Sequence, residues 1–240
     1  GLVFIPTGRG LLVALDSADW SIRWAARYEG AAPDAQREGG WLPTPPVGVA
    51  DVVLLAPDDA DELICLDRGS GEIRWRVKRD AYTYLLGATD SHVWVAGPGV
   101  QMLDIRSGRP VWRRSAGEPT GRGALAGDRI YLPTLQGLKA FDASTGTPVQ
   151  IDQPAAPLLL GNLLSWDGSL YSVSVFDVSC FPDLGRGYAQ AVERHAANPA
   201  DPGRAIRLAS LELLRNQPEK ARAALTSLPA DLKDRDPQRH

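Results

Sequence analysis

Leu63-Ile64-Cys65-Leu66-Asp67-Arg68-Gly69-Ser70-Gly71-Glu72-Ile73-Arg74-Trp75 is the stretch that decides the fold. An apolar run ends in Asp, a Gly-bearing turn follows, and a second strand-like run carries a Trp. An Asp that ends a strand can accept hydrogen bonds from the backbone N–H groups of the turn after it. A Gly there supplies the positive φ of a tight hairpin. A large ring on the next strand can cover a seam between sheets.

The pattern recurs. An earlier copy has Leu2-Val3-Phe4-Ile5, then Leu12-Val13-Ala14-Leu15-Asp16 and Trp24. A later one has Val93-Trp94-Val95, then Val100 to Asp104, Ser107-Gly108 and Trp112. A fourth has Ile130-Tyr131-Leu132, then Leu138 to Asp142 and Thr145-Gly146, with Gln150 where Trp is expected. A fifth has Leu170 to Val173 and Val178 to Phe181, with Pro182 at the Asp position. The Asp–Trp spacing is the same from 16 to 24, from 67 to 75 and from 104 to 112. The Asp position advances from 16 to 67, 104, 142 and 182. The first step is long because Glu29–Pro46 holds an insertion rich in Gly, Pro and Ala. Periods of roughly 40 residues with several strands per unit specify a β-propeller. The fold expected is therefore mainly β: a partial propeller of about five four-stranded blades over 1–182, the first lacking its innermost strand. A helical segment follows over 183–240. Innermost strands are expected at Tyr84-Leu85-Leu86-Gly87, Gly123-Ala124-Leu125-Ala126 and Leu158-Leu159-Leu160-Gly161, where small residues suit a crowded centre.

Composition agrees and excludes other classes. The chain has 240 residues, 44% of them hydrophobic, and a net charge of −3 with both signs interspersed. That is normal for a globular protein and wrong for one that coats nucleic acid. No apolar run is long enough for a membrane helix. Two cysteines rule out a disulfide-built scaffold. The opening on Gly1 inside a strand-like run, with Met102 the single methionine, implies processing or a piece of a longer chain.

The Asp-x-x-Thr-Gly-x-x-x-Trp pattern resembles the tryptophan-docking repeat of pyrroloquinoline-quinone-like propellers. Asp16 and Trp24 carry it, then Asp67, Gly71 and Trp75, then Asp104, Gly108 and Trp112, then Asp142 and Gly146. The family holds quinoprotein dehydrogenases and non-catalytic scaffolds similar to the outer-membrane assembly lipoprotein propeller. The resemblance implies a periplasmic or otherwise extracytoplasmic setting and rings that commonly have seven or eight blades. The first turn, Ser17-Ala18-Asp19-Trp20, lacks Thr-Gly.

After Phe181 the residues become helical in type. Leu184, Tyr188, Val192 and His195 form one stripe, and Asp201-Pro202 and Gln217-Pro218 start two further helices. The stripe is expected to face Ala205, Leu208 and Ala209. These helices look like a tetratricopeptide repeat, which needs neighbours to bury both faces. Leu211, Leu214, Leu225 and Leu228, with Trp41 in the insertion, are the candidate interaction residues.

Candidate chemistry is sparse. Cys65 and Cys180 occupy one repeat position, a small buried apolar slot, and are read as core thiols. The enzymes of the family use adjacent cysteines, and no Cys-Cys occurs. The run Asp58-Asp59-Ala60-Asp61-Glu62 falls in a hairpin turn and lacks the Gly of a calcium loop. His92, His195 and His240 have no metal-ligand spacing. Arg74, Arg76, Lys78, Arg79 and Arg113-Arg114 alternate on outer strands and read as solvent-facing edge protection. No catalytic, cofactor or metal residue is assigned. The leading reading is a non-catalytic interaction scaffold whose partner is a protein or a missing part of the same protein, with no nucleic acid and no membrane span. The alternatives are a quinoprotein dehydrogenase fragment binding the quinone and calcium, and a ligand-sensing propeller.

Overall fold

A computed structural model describes residues 1–30, 42–151, 159–166, 168–182, 186–214, 217–226 and 228. The chain divides into two compact units, Gly1–Leu163 and Leu164–His240.

The first unit is a series of antiparallel sheets, each built by consecutive strands. β1 (Leu2–Pro6), β2 (Leu11–Asp16) and β3 (Ile22–Arg27) form a three-stranded sheet. β4 (Val47–Val49), β5 (Val52–Leu55), β6 (Glu62–Asp67) and β7 (Ile73–Lys78) form the second sheet. β8 (Tyr84–Ala88), β9 (His92–Ala96), β10 (Gly99–Asp104) and β11 (Pro110–Ser115) form the third, and β12 (Ala124–Ala126), β13 (Arg129–Thr134), β14 (Gly137–Asp142) and β15 (Pro148–Val149) the fourth. The mainly β, blade-by-blade architecture is the expected one; among the described residues the first sheet has three strands. The register repeats too. Ala14 pairs with Trp24, Cys65 with Trp75 and Met102 with Trp112, each just before a shift in register.

Alternation gives every strand two faces. The β6 and β10 interiors are buried on both faces, because each sheet is sandwiched between neighbours. Three apolar clusters are the three seams. Leu12, Ala14 and Trp24 pack against Val53, Leu55, Ile64 and Leu66. Leu54, Leu63, Cys65 and Trp75 pack against Leu85, Val93, Val95 and Leu103. Trp94, Val100, Met102 and Trp112 pack against Ile130, Leu132 and Phe141.

The second unit holds β16 (Asn162–Trp166), which starts at the unit boundary, β17 (Ser169–Val173) and β18 (Val178–Pro182), followed by α1 (Arg186–Ala197), α2 (Pro202–Leu214) and α3 (Pro218–Thr226). Two expectations need correction. The inner strand expected at 158–161 lies at Asn162–Trp166; Leu159 and Leu160 precede it, Leu159 is exposed, and Leu158 lies outside the described residues. Among the described residues the fifth sheet has three strands where four are expected, and helix α1 follows β18.

Asp201 caps α2, its Oδ1 accepting the Arg204 N–H at 3.1 Å, and Pro202 takes the first helical position. The buried helical core is Ala191, Leu208, Ala209, Leu211, Ala221 and Ala224, with Tyr188 against it. The stripe on α1 therefore runs through Tyr188 and Ala191, while Val192 is exposed. Turning the stripe by one residue lets the Tyr188 hydroxyl donate to buried Glu212 at 2.8 Å, an anchor that Val192 cannot supply. Leu184 and the charged tail 231–240 lie outside the described residues.

Candidate functional site

The residues singled out by the repeat converge on the seams between sheets. Trp24 on β3 donates its indole N–H to the Arg68 carbonyl of the next sheet at 2.9 Å. Trp75 on β7 donates to the Ile105 carbonyl at 2.7 Å. Each acceptor is the residue after the next sheet's Asp. Trp112 on β11 instead reaches the Ser144 carbonyl at 2.9 Å, one residue further on. The reason is Trp94, which takes the expected carbonyl of Ala143, also at 2.9 Å. Sequence reasoning had Trp94 only as part of a strand. Its signal was a Trp at the position held by Phe4 and Leu54 in the neighbouring copies.

The turn glycines have two jobs. Gly71, Gly108 and Gly146 adopt φ of 76°, 68° and 67°. Each also lies flat beneath the preceding sheet's ring. A Cβ added to Gly71 would come within 2.5 Å of Trp24, one on Gly108 within 2.8 Å of Trp75, and one on Gly146 within 2.7 Å of Trp112. The turn thus accepts a ring as well as reversing the chain.

The Asp side chains hold the turns rigid. Asp67 Oδ1 accepts the N–H groups of Gly69 and Ser70 at 2.9 and 2.8 Å. Asp142 Oδ1 accepts those of Ser144 and Thr145 at 3.0 and 2.8 Å, and both their hydroxyls. Asp16 and Asp104 cap Ala18 and Ser107 in the same way. Hydrogen bonding to the charged form lowers a carboxyl pKa. The Arg74 guanidinium and the turn amides bring Asp67 down to about 2. The Ser144 and Thr145 donors bring Asp142 to about 2. Because the folded values lie below the unfolded carboxyl value of about 4, the stability contribution is present above that value and is lost as pH falls toward 2. Asp142→Asn is expected to lower the urea midpoint at pH 7 and to shrink the drop in midpoint between pH 7 and pH 3.

Several charged groups do more than face solvent. Arg74 bridges Asp51 and Asp67 at 2.6 Å each, and Arg23 pairs with Asp16 at 2.5 Å. Arg114 reaches the next sheet's turn, donating to the Gly146 and Thr145 carbonyls at 2.9 and 3.3 Å beside the Trp112 ring. The edge-protection reading of Arg114 is corrected accordingly. Within the acidic run, Asp59 accepts the Gly10 N–H and the Tyr28 hydroxyl, both at 2.7 Å, and so ties the second sheet's hairpin to the first sheet.

The thiols differ. Cys65 is buried at a seam, and desolvation pushes its thiol up to about 12, which makes it inert. Cys180 is exposed, contrary to the core-thiol reading, because nothing among the described residues covers that face of the fifth sheet. Leu211 is also corrected as an interaction residue: it is buried within the helical unit's own core. Leu225 and Leu228 keep accessible surface. Trp41 and the Leu214 side chain lie outside the described residues. Among the described residues no three His, Cys, Asp or Glu side chains cluster as a metal site, and no helix is long and apolar enough to cross a membrane.

Comparison with known proteins adds a family signal. A family model described as outer membrane protein assembly factor BamB matches residues 1–81. The outer membrane protein assembly factor BamB of Vibrio cholerae is 30% identical over 144 residues, covering 55% of this chain and 36% of that protein. The crystal structure of BamB from Moraxella catarrhalis superposes with a TM-score of 0.57 at 19% identity, covering 76% of this chain and 58% of that one. The chain is similar to BamB over these stretches, and its sheets resemble the blades of a pyrroloquinoline-quinone-like propeller. It spans little more than a third of the Vibrio protein and under two thirds of the Moraxella chain.

Proposed function

We propose that this chain is a non-catalytic protein-interaction scaffold that serves outer-membrane protein assembly from the periplasmic side. The observation that carries this reading is the match of its first 81 residues to an assembly factor. The seams support it: the Asp, Gly and Trp residues at 16, 24, 67, 71, 75, 104, 108, 112, 142 and 146 act as a structural docking motif. They bind one another across sheets and leave rims and loops as the working surface. The helices after residue 183 act as a tetratricopeptide-like segment, with Leu225 and Leu228 on an accessible face. The quinoprotein alternative lacks its vicinal cysteine pair, since Cys65 and Cys180 lie on different sheets.

Deleting the gene in its own bacterium tests the proposal. Folded β-barrel proteins in the outer-membrane fraction are expected to fall, and the intact gene is expected to restore them. Unchanged barrel levels would contradict the scaffold reading. So would alcohol oxidation at about 1 per second or faster after loading with the quinone and calcium.

A further inference from the structure

The seam between the second and third sheets keeps a hole where the preceding seam is filled. Ile64, three residues before the Asp of its turn, is fully buried against the first sheet. Tyr28, four residues after Trp24, packs in the same cluster, and its hydroxyl donates to Asp59. In the following seam the register puts Gln101 and Arg79 at these two positions. Arg79 does not replace the ring, because its guanidinium is held by Asp61 at 3.3 Å and by the Tyr82 carbonyl at 3.1 Å. A cavity of about 180 Å³ remains, walled by Leu63, Val77, Val95 and Leu103. It lies between two consecutive sheets that the Trp75–Ile105 hydrogen bond already ties together, so no further sheet can enter it.

Two polar side chains line this cavity without a partner. Gln101 is 5% exposed and Tyr82 6%. Among the described residues, no hydrogen bond engages the Gln101 amide or the Tyr82 hydroxyl. Buried polar groups are nearly always paired, so a pair of orphans on one cavity wall calls for an occupant.

Size and charge name that occupant. A cavity of about 150 Å³ takes a benzene ring, so this one has room for a ring and a hydroxyl. The Arg113 guanidinium on its lining is paired with Asp80 at 3.1 Å and that of Arg79 with Asp61, while Lys78 is exposed to solvent. A neutral ring with one hydrogen-bonding edge therefore suits the interior. The chain itself uses such a ring, Tyr28, in the preceding seam.

We infer that the cavity is a binding site for a phenolic ring, held between the Leu63 and Val77 wall and the Val95 and Leu103 wall, with its hydroxyl bonded to Gln101 and Tyr82. The ring belongs either to a small free phenol or to a tyrosine presented by another protein, and the chemistry of recognition is the same.

Titration of the full chain with p-cresol, followed by heteronuclear magnetic resonance, tests it. A dissociation constant of about 1 mM or tighter is expected, with shifts at Val77, Val95 and Leu103. Toluene, which lacks the hydroxyl, is expected to bind at least tenfold more weakly, and the anion p-toluate more weakly than p-cresol. Gln101→Leu keeps the side-chain volume and is expected to bring p-cresol down to the affinity of toluene. Val77→Phe fills the cavity from its partly exposed edge and is expected to abolish binding of both, with unchanged circular dichroism. The blocked tripeptides Gly-Tyr-Gly and Gly-Phe-Gly separate the two sources. Binding of the tyrosine peptide alone at the strength of p-cresol marks a protein tyrosine, and binding of p-cresol alone marks a small phenol. Absence of p-cresol binding at about 10 mM would overturn the proposal. So would equal affinity for toluene, tighter binding of p-toluate, or p-cresol binding undiminished in Val77→Phe.

Discussion

Replacing Trp75 with alanine will lower the unfolding free energy by about 3–5 kcal/mol. The ring is buried between the second and third sheets. Its loss removes apolar burial, leaves a cavity against the Gly108 turn, and orphans the Ile105 carbonyl that accepts its N–H at 2.7 Å. A buried carbonyl left without a donor costs about 1–3 kcal/mol. The seam is lined by paired backbone on both sides and cannot collapse to fill the space. Trp166, 67% exposed on β16, is the control: Trp166→Ala is expected to change stability by no more than about 0.5 kcal/mol. Urea denaturation followed by far-ultraviolet circular dichroism checks both. A Trp75→Ala variant as stable as Trp166→Ala would mean that the ring bears no load.

Gly108→Val attacks the same contact from the other side, with an expected cost of about 3 kcal/mol. The φ of 68° places a β-branched residue in the left-handed region, which costs about 1–3 kcal/mol. The new Cβ would also lie 2.8 Å from the Trp75 ring and 3.0 Å from Val77 Cγ1, so the ring must lift from the turn. A double-mutant cycle separates the two causes. With Trp75 already alanine, the clash disappears and only the backbone cost remains. The two changes are expected to be non-additive by about 1 kcal/mol or more. Strict additivity would place the ring off the glycine.

The same contact explains why so much of the fold was legible in sequence. Asp, Gly and Trp at fixed spacing are a local code for strand, turn and strand, and a seam needs all three from two adjacent copies. The code therefore recurs at one register, and the sheets follow. Where contacts depend on neighbours outside that code, sequence reading fell short. Trp94 diverts Trp112 by one carbonyl because both compete for the same turn, which spacing cannot show. Asp59 looked like one residue of a solvated acidic loop until the fold placed it beside Gly10 and Tyr28 of the first sheet. The inner strand of the fifth sheet was set too early because three leucines outweighed the Asn162-Leu163-Leu164-Ser165-Trp166 alternation. Cys180 was read as buried from its repeat position alone, although burial there requires a following sheet. On α1, Val192 and Ala191 fit helical stripes one residue apart. The Tyr188–Glu212 hydrogen bond, a tertiary contact, decides between them.

Docking of one sheet's tryptophan into the next sheet's Asp–Gly turn is the central claim, and hydrogen exchange at the indole N–H groups tests it most directly. The full chain, labelled at tryptophan nitrogen and transferred to heavy water, is expected to show protected indole signals from Trp24, Trp75, Trp94 and Trp112. Trp20 and Trp166, both largely exposed, are expected to exchange within the dead time. Single Trp→Phe variants assign the peaks. Protection lost at Trp24, Trp75 and Trp112, with exchange as fast as at Trp20, would contradict the account.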